Sequence, residues 1–322
     1  MRAAVDRLDP HMRLVAAYHF GWCDADGTPI AANAGKALRP GLALMVAEAL
    51  TGDSTPAVPG AVAVELIHNF SLVHDDLIDR DEERRHRPTV WTVWDDTTAI
   101  LVGDAMSSLA YEVIADSGSP YAGAAASALG LATRELIRGQ AQDVIFEQRD
   151  DVTLEECLAM AAGKTGALLA VSASIGAILS GAPRTTVDAF HVFGDELGLA
   201  FQIVDDLLGV WGASEMTGKP VYADLAAGKK NLPVVWSLQH GGDAGAELRE
   251  WFASHESRAD VPLAELEHAA GLIEKSGGRQ WGVDAADQHV ATALAALEGL
   301  GLTPEAHGTL VDLAHFVTER KL

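Results

Sequence analysis

Two clusters of opposite charge lie close together in residues 74–88, HDDLIDRDEERRHRP. Asp75 and Asp79 belong to the acidic cluster, and Arg84 and Arg85 belong to the basic cluster. Carboxylates bind divalent cations, whereas arginine side chains bind phosphate groups through paired hydrogen bonds. Because both kinds of group occur within a few turns of chain, this stretch predicts a site that holds a metal ion together with a phosphorylated ligand.

The acidic cluster ends an amphipathic segment, residues 61–79, AVAVELIHNFSLVHDDLID. Apolar residues recur there at helical spacing, so Asp75 and Asp79 lie on one face of a predicted helix, with Asp76 beside them. His68 is about two turns earlier on roughly the same face. Like charges at this spacing repel unless a cation binds between them. Mg²⁺ suits the pair because it needs only one or two carboxylates and completes its shell with water and substrate phosphate oxygens.

A second apolar segment, residues 199–212, LAFQIVDDLLGVWG, repeats part of this pattern. It carries the pair Asp205 and Asp206, and Gly209 stands where a third aspartate would complete the repeat. Two apolar helices that each end in paired carboxylates predict two helix ends that converge on a cavity. The expected cofactor is a cluster of two or three magnesium ions.

Candidate partners for the phosphate groups are cationic side chains in glycine- or proline-punctuated segments near predicted helix ends. They are Lys36, Arg39, Arg84, Arg85, Lys164, Lys219, Lys229 and Lys230. Thr165 follows Lys164 in AAGKTG, which looks like part of a P-loop. The P-loop pattern needs a further glycine five residues before the glycine of its Gly-Lys pair, and Gly163 lacks it. The sequence therefore does not predict a nucleotide-binding P-loop.

The bulk composition limits the partners. The 322 residues carry a formal net charge of -23, which disfavours nucleic acids and anionic lipid surfaces, so we expect no stable membrane insertion. Cys23 and Cys157 cannot build a disulfide framework or a zinc site, and residues 1–13 lack the apolar core of a signal peptide. These features predict a cytoplasmic protein.

The periodicity predicts an all-α protein with a single domain over residues 1–322, because helical spacing recurs throughout and alternating runs of strand length are missing. Residues 24–29, 51–60 and 116–120 are rich in helix breakers and separate the periodic segments. The uncharged run 165–183 predicts a buried core helix rather than a membrane span, because small polar residues interrupt it.

Local signals fix several predicted helix ends. Thr153 with Glu156 predicts a capping box at a helix start. Thr303 followed by a proline predicts another helix start. Gly277 and Gly278 predict a helix stop.

Seven motifs in a fixed order carry a resemblance to a known family. They are AGKALRP (34–40), ELIHNFSLVHDDLIDRDEERRHRPTVW (65–91), GDAMSSLAYEV (103–113), GQAQDV (139–144), AAGKTGALL (161–169), FQIVDDLLG (201–209) and TGKPVYADLAAGKKNLP (217–233). The chain resembles the trans-isoprenyl diphosphate synthases, the all-helical polyprenyl synthetase family, and is most similar to bacterial geranylgeranyl diphosphate synthases. The resemblance implies an isoprenoid synthase type of helical bundle around a central cavity.

The resemblance also implies a reaction and its residues. A magnesium-dependent prenyltransferase would join isopentenyl diphosphate to an allylic prenyl diphosphate, head to tail and with trans geometry. The implied catalytic residues are Asp75, Asp79, Arg84, Lys164, Asp205 and Lys219. The implied magnesium ligands are Asp75, Asp79 and Asp205, supported by Asp76 and Asp206. The implied ligands of isopentenyl diphosphate are Lys36, Arg39, His68 and Arg85. Those of the allylic diphosphate are Arg84, Lys164, Thr165, Gln202, Lys219 and Lys229.

Smaller motifs and departures refine this expectation. Gln140 and Asp143 match the family's GQxxD positions near the allylic carbon and the metal cluster. Gly209 removes one aspartate from the second acidic motif, and Ala37 stands where many relatives carry an extra arginine. We expect weakened rather than abolished metal binding from the first departure.

Product length depends on the floor of the elongation pocket. Phe70 and Ser71, about one helical turn before the first aspartate, match the chain-length positions of the family. One aromatic residue there with a small neighbour favours a C20 product, geranylgeranyl diphosphate, and leaves C15 and C25 open.

Two other functions fit part of the sequence. A class I terpene cyclase shares the first acidic motif but would carry an Asn/Ser/Glu metal triad in place of the Asp205 pair. A non-catalytic subunit of a prenyl synthase would fit the loss of aspartate at Gly209, although the intact first motif argues against it. The family resemblance further implies a homodimer.

Overall fold

The computed structural model describes residues 1–30, 37–146, 148–213, 220–255 and 261–318. The described chain is almost entirely helical, which confirms the predicted all-α class. The helices are α1 (Arg2–Val5), α2 (Pro10–His19), α3 (Leu38–Thr51), α4 (Val58–Ile78), α5 (Val90–Val93), α6 (Asp96–Ala115), α7 (Ala122–Phe146), α8 (Leu154–Ala161), α9 (Ala167–Leu179), α10 (Arg184–Trp211), α11 (Ala223–Ala226), α12 (Leu232–His240), α13 (Gly242–Ser254), α14 (Leu263–Ser276), α15 (Gly278–Ala296) and α16 (Pro304–Thr318). A 3₁₀ turn (Thr55–Ala57) precedes α4, and a π-helical turn (Ala162–Gly166) joins α8 to α9.

The predicted helix ends are confirmed where capping chemistry is specific. The Thr153 hydroxyl accepts from the backbone N–H of Glu156, and the Glu156 carboxylate accepts in return, so α8 begins with a complete capping box. Helix α16 begins at Pro304, and the backbone N–H of Ala306 donates to the Thr303 hydroxyl. Gly277 ends α14 in the left-handed conformation with φ 92°.

The chain forms two compact units. The first unit comprises Met1–Thr133 and Val171–Phe190. The second unit comprises Arg134–Ala170 and His191–Leu322. The single domain expected from the sequence stays a prediction.

In the first unit, α4 packs against both α3 and α6. This packing buries the apolar residues of α4. Leu66 and Ile67 of α4 and Met106 of α6 are fully buried. Burial of one such side chain stabilises the fold by about 1.5–3 kcal/mol. Gly176 lets two helices approach closely, because a Cβ there would lie 2.3 Å from the carbonyl oxygen of Ala43. This apolar packing fixes the direction in which α4 presents its polar end.

In the second unit, two apolar clusters hold the helices together. One of them packs α13 and α14 through Leu248, Trp251, Phe252, Leu272 and Ile273. The other packs α10 against α8 and α12 through Cys157, Ile203, Leu207, Leu232 and Val235. The second cluster lies beside the paired aspartates of α10, so it anchors the second acidic motif.

One element was not predicted. A short antiparallel hairpin follows α4, with β1 (Glu83–Arg84) paired to β2 (Arg87–Pro88). Its two turn residues, Arg85 and His86, have φ values of 53° and 61°. A type I′ hairpin turn needs φ above zero at both positions, which usually selects Asn and Gly. Strain at two large side chains is typical of functional segments.

Among the residues that the structure describes, three helical stretches are long and apolar enough to cross a membrane by length and composition alone. They are Thr55–Ile78, Asp96–Ala115 and Leu154–Leu179. Of these three, Leu154–Leu179 is the most deeply buried, because 78% of its most apolar 18-residue segment lies inside the protein. It includes residues 165–179 of the uncharged run that the sequence predicts to be a core helix, and Leu168, Leu169 and Ile175 are buried there.

Candidate functional site

The first acidic motif occupies the last turn of α4 and the residue after it. The backbone N–H of Asp79 donates to the Asp75 carbonyl at 2.9 Å, so the two residues are one helical turn apart, as predicted. Asp79 is exposed and Asp75 is partly exposed, whereas Asp76 is 2% exposed. The three carboxylates therefore differ in their surroundings despite being close in sequence.

Asp76 is bound by the basic cluster. Arg84, on β1, donates to one carboxylate oxygen of Asp76 from Nε at 2.7 Å and from Nη2 at 2.6 Å. Burial raises the pKa of Asp76, and the hydrogen bond and charge of Arg84 oppose that rise. The second aspartate of the motif thus anchors the hairpin that carries Arg84 and Arg85.

The other basic residues that the sequence predicts for this site in the described part of the first unit, Arg39 and Arg85, lie near the middle of α4. Arg39 Nη1 is 3.3 Å from Nε2 of His68. Because arginine only donates, this His68 nitrogen is the acceptor. Arg39 Nε is buried, and among the described residues it has no hydrogen-bond partner. Burial lowers the pKa of Arg39 to about 10. A buried guanidinium with an unsatisfied donor is suited to an anionic ligand.

Arg85 belongs to the same surroundings. Burial lowers its pKa, and the neighbouring charge of Arg84 lowers it further. Burial also lowers the pKa of His68 well below its ordinary value, and the charges of Arg39 and Arg85 act in the same direction. Two further predicted residues, Lys36 and Lys219, lie outside the described part of the chain.

The predicted chain-length residues of α4 have different contacts. Phe70 is 7% exposed and meets the ring of His74 edge to face, with ring centroids 5.0 Å apart. The Ser71 hydroxyl donates to the carbonyl of His68 at 2.8 Å, so it is satisfied within the helix. His74 Nε2 is 3.1 Å from the carbonyl oxygen of Ile100. A Cβ at Gly103 of α6 would lie 2.2 Å from this nitrogen, so the glycine makes room for the ring that supports Phe70.

In the second unit, a π-helical turn presents Lys164 and Thr165. A Cβ at Gly139 of α7 would lie 2.2 Å from the backbone nitrogen of Lys164, so only glycine allows this close approach. Lys164 Nζ donates to Asp143 of the GQxxD motif at 2.6 Å. Gln140 Nε2 of the same motif is buried and has no hydrogen-bond partner among the described residues. π-helical turns occur frequently at functional sites.

A hydrogen-bonded chain links this turn to the second acidic motif. The Thr165 hydroxyl donates to Gln202 Oε1 at 2.6 Å, and Gln202 Nε2 donates to Asp206 at 2.8 Å. The other Asp206 oxygen accepts from the backbone N–H of Leu232 at 2.9 Å. Burial raises the pKa of Asp206 to about 7 despite these two hydrogen bonds. Gln202 is therefore held in one orientation by residues on both sides of it.

In each acidic motif, the first aspartate of the Asp-Asp pair is more exposed than the second. Asp205 is exposed, whereas Asp206 is 9% exposed. Asp206 resembles Asp76, because each is buried and hydrogen-bonded within its own unit. The chemistry of the donor set therefore favours Asp75, Asp79 and Asp205 as direct metal ligands, as the sequence predicts, and gives the second aspartate of each pair a supporting role.

Gly209 has a structural explanation. A Cβ at this position would lie 2.1 Å from Oδ2 of Asp224, so the Asp224 carboxylate fills the adjacent space. Asn231 Nδ2 donates to that oxygen at 3.0 Å and to the Asp206 carbonyl at 3.1 Å. Sequence reasoning missed Asp224 and Asn231, although both lie in the quoted motif 217–233. Lys229 is exposed, and its backbone N–H donates to the Asp224 carbonyl.

The residues present fit magnesium. Within the described ranges, no group of three or more His, Cys, Asp or Glu side chains forms a preassembled metal site. Mg²⁺ does not require one, because one or two carboxylates with water and substrate phosphate oxygens complete its octahedron. Asp75 and Asp79, one turn apart at a helix end, supply hard oxygen ligands of this kind.

Comparison with known proteins agrees with the motifs. The family model for polyprenyl synthetase matches residues 22–266. The chain is 54% identical to a (2E,6E)-farnesyl diphosphate synthase of Mycobacterium tuberculosis, over all of this chain and 89% of the relative. It is 38% identical to a geranylgeranyl diphosphate synthase of the same organism, over all of this chain and 90% of the relative.

A solved structure shows the same fold. The polyprenyl synthetase of Streptomyces coelicolor A3(2) superposes with a TM-score of 0.94 and 50% identity, over 98% of this chain and 94% of that one. The resemblance inferred from the seven motifs is thereby confirmed. The chain belongs to the polyprenyl synthetase family and is a trans-prenyltransferase.

Proposed function

We propose that this enzyme condenses isopentenyl diphosphate with an allylic prenyl diphosphate, head to tail and in trans geometry, to give a short-chain prenyl diphosphate. One observation supports this most strongly. Each acidic motif pairs a solvent-accessible aspartate with a buried aspartate that is hydrogen-bonded to neighbouring functional residues. Arg84 binds the buried aspartate of the first motif, and Lys164 precedes Thr165, which is hydrogen-bonded to Gln202 beside the second motif. A diphosphate-binding enzyme requires such cations.

Magnesium is the metal of this family, and the number of ions is part of the proposal. Asp75, Asp79 and Asp205 would hold two or three ions, with Asp76 and Asp206 in support. Bound magnesium neutralises charge that develops on a departing diphosphate. The protein itself binds and orients both substrates and surrounds the reacting carbons with apolar helix, which excludes water from a cationic allylic group.

The substrate ligands keep the roles that the resemblance implies. Lys36, Arg39, His68 and Arg85 would bind isopentenyl diphosphate. Arg84, Lys164, Thr165, Gln202, Lys219 and Lys229 would bind the allylic diphosphate. Arg84 and Lys164 are each paired with a carboxylate, Asp76 and Asp143, so each cation is already oriented before a phosphate oxygen binds.

For the product we propose C15, farnesyl diphosphate, rather than the C20 product that the sequence favours. The support is twofold. Phe70 is buried and braced by His74, so the aromatic ring is held in place. The relative that is 54% identical is a farnesyl diphosphate synthase, whereas the geranylgeranyl diphosphate synthase is 38% identical.

Product analysis tests this proposal. Purified protein is incubated with Mg²⁺, isopentenyl diphosphate and either dimethylallyl, geranyl or farnesyl diphosphate, and the products are separated by chain length. Accumulation of C15 supports the proposal, and accumulation of C20 restores the expectation from sequence. A cyclic hydrocarbon would favour a terpene cyclase, and a lack of turnover with all three primers would favour a non-catalytic subunit. Phe70→Ala is expected to lengthen the product, and an unchanged length would remove Phe70 from the pocket floor.

We also propose a cytoplasmic homodimer without stable membrane insertion. Support for a dimer comes from α6, where Ile100 and Leu101 are 46% and 50% exposed. Adjacent exposed apolar side chains on a long helix are suited to a protein partner. Light scattering of the wild-type protein and of Leu101→Asp tests this, because the substitution should shift a dimer toward monomer.

A further inference from the structure

A hydrogen-bonded chain of three side chains joins α2 to α4 in the first unit. Asn69 Nδ2 donates to the Glu65 carbonyl at 2.7 Å and to Glu65 Oε1 at 2.9 Å. Asn69 Oδ1 is 3.1 Å from Nε2 of His19, at the end of α2. Glu65 and Asn69 lie in the motif of residues 65–91, whereas His19 lies outside all seven family motifs.

Only one assignment of donors and acceptors is consistent with these hydrogen bonds. Because Asn69 uses its amide nitrogen toward Glu65, its oxygen faces His19 and accepts. His19 Nε2 is therefore the donor, which fixes the proton on that nitrogen. Burial lowers the pKa of His19 to about 3, and the charges of Arg84 and Arg85 act in the same direction. His19 is thus a neutral imidazole in a single tautomer.

His19 also lines a cleft with the basic cluster. The cleft is small and partly open to solvent. Its walls include Tyr18 and His19 from α2, Asp76 from α4, and Arg84, Arg85 and Arg87 from the hairpin. Arg87 fixes the hairpin against α2, because it donates to the carbonyls of Tyr18 and Cys23.

Glu65, at the other end of the hydrogen-bonded chain, is influenced by the charges of Arg39 and Arg85. Burial raises the pKa of Glu65, and hydrogen bonding from Asn69 and the charges of Arg39 and Arg85 oppose the rise. Glu65 is therefore an acidic neighbour of the two arginines that the proposed function assigns to isopentenyl diphosphate. Arg39 carries the buried Nε that has no partner among the described residues.

We infer that His19 is a positioning residue for the isopentenyl diphosphate site. By donating to Asn69, it orients the amide that holds Glu65, and the negative charge of Glu65 acts on Arg39 and Arg85, the arginines of that site. This inference rests on the proposed function for the identity of the substrate. His19 acts through Asn69 and Glu65, and it contributes more to the homoallylic substrate than to the allylic one.

Three variants and two measurements test the inference. His19→Leu replaces the donor with an apolar side chain of similar size. His19→Gln retains an N–H that can reach Asn69. The matched control is His11→Leu, which alters an exposed histidine on the same helix. Binding of isopentenyl diphosphate is measured by calorimetry without magnesium. Steady-state KM values are then measured separately for isopentenyl and geranyl diphosphate.

His19→Leu is expected to raise the Kd and KM for isopentenyl diphosphate about tenfold, the effect of one lost hydrogen bond in a charged site. The KM for geranyl diphosphate should change less than about twofold, and His19→Gln should recover most of the loss. Equal changes in both KM values, or loss of stability without a change in Kd, would overturn the inference. Wild-type protein that binds isopentenyl diphosphate but forms no prenyl product would contradict the proposed function alone.

Discussion

The aspartates of the first motif should separate catalysis from stability at the level of single residues. Asp75 is partly exposed, whereas Asp76 is buried and bound by Arg84. Asp75→Asn should lower kcat at least about 100-fold with little change in the free energy of unfolding, because it removes a proposed metal ligand. Asp76→Asn should cost about 1–3 kcal/mol of stability, because Arg84 loses its charged partner.

Denaturant unfolding and turnover, measured on both variants, check this division. If Asp75→Asn destabilises the protein as much as Asp76→Asn does, the two residues do not have the separate roles assigned here. Full activity in Asp75→Asn would remove it from the metal ligands.

Gly209 is a residue at which restoring the family pattern should do harm. A side chain there would meet Asp224 Oδ2 at 2.1 Å. Gly209→Asp is therefore expected to lower stability by about 1–3 kcal/mol and to reduce activity, although it completes the second acidic motif. Gly271→Ala, on α14 with open space around the new methyl group, is the matched control and should be neutral or slightly stabilising. A more active and equally stable Gly209→Asp enzyme would contradict this explanation.

Residue types and spacing predicted much of the site. Helical periodicity alone was enough to place Asp75 and Asp79 one turn apart. It was also enough to recognise that both acidic motifs lie on apolar helices. The sequence could not show which aspartate of each pair is buried, because that depends on long-range packing. It also could not show that Asp224 fills the space beside Gly209, since 15 residues separate these positions in the sequence.

At the level of elements, the π-helical turn depends on close helix packing. A Cβ at Gly139 would lie 2.2 Å from the backbone nitrogen of Lys164. Gly139→Ala should displace this turn, cost about 1–3 kcal/mol of stability and raise the KM of the allylic substrate. Gly123→Ala, on the same helix α7 with no neighbour within 4 Å, is the control. Unchanged kinetics in Gly139→Ala would show that Lys164 does not depend on this contact.

The packing of α2 and the hairpin against α4 should make stability depend on pH. In the folded protein the pKa of His19 is lowered to about 3, and that of His68 is also well below its ordinary value. At these two histidines the unfolded chain therefore binds more protons below about pH 6.5, so their contribution to stability is lost as the pH falls from there. Each histidine should contribute a slope of up to about 1.4 kcal/mol per pH unit.

Urea unfolding between pH 7.5 and 5 measures this slope. His19→Gln should reduce the slope, because the variant has no imidazole to protonate in the unfolded state. His11→Gln, on the exposed part of α2, should leave it unchanged. A slope that is the same in His19→Gln and in the wild-type protein would contradict the lowered pKa.

The elements were predictable where local chemistry is strong. Helix ends at Thr153, Thr303 and Gly277 follow from capping groups that act within a few residues. The hairpin was not predicted, because its strands are two residues long and its turn uses Arg85 and His86 in place of Asn and Gly. Its position depends on contacts of Arg84 and Arg87 with distant residues, which periodicity does not record.

For the whole molecule, the proposed reaction needs both acidic motifs, residues 65–91 and 199–212. Family membership establishes the class of enzyme, while the substrates, the product length and the role of each motif are specific to the proposal. A single assay that varies the metal and both motifs addresses them together.

The most direct measurement is the rate of pyrophosphate release and prenyl product formation from geranyl and isopentenyl diphosphates. The account predicts equal amounts of pyrophosphate and C15 product from the wild-type enzyme with Mg²⁺, and none with a chelator. It predicts rates at least about 100-fold lower for Asp75→Asn and for Asp205→Asn, each folded as well as the wild-type protein. Normal turnover in either variant, or pyrophosphate release without a longer prenyl diphosphate, would contradict it.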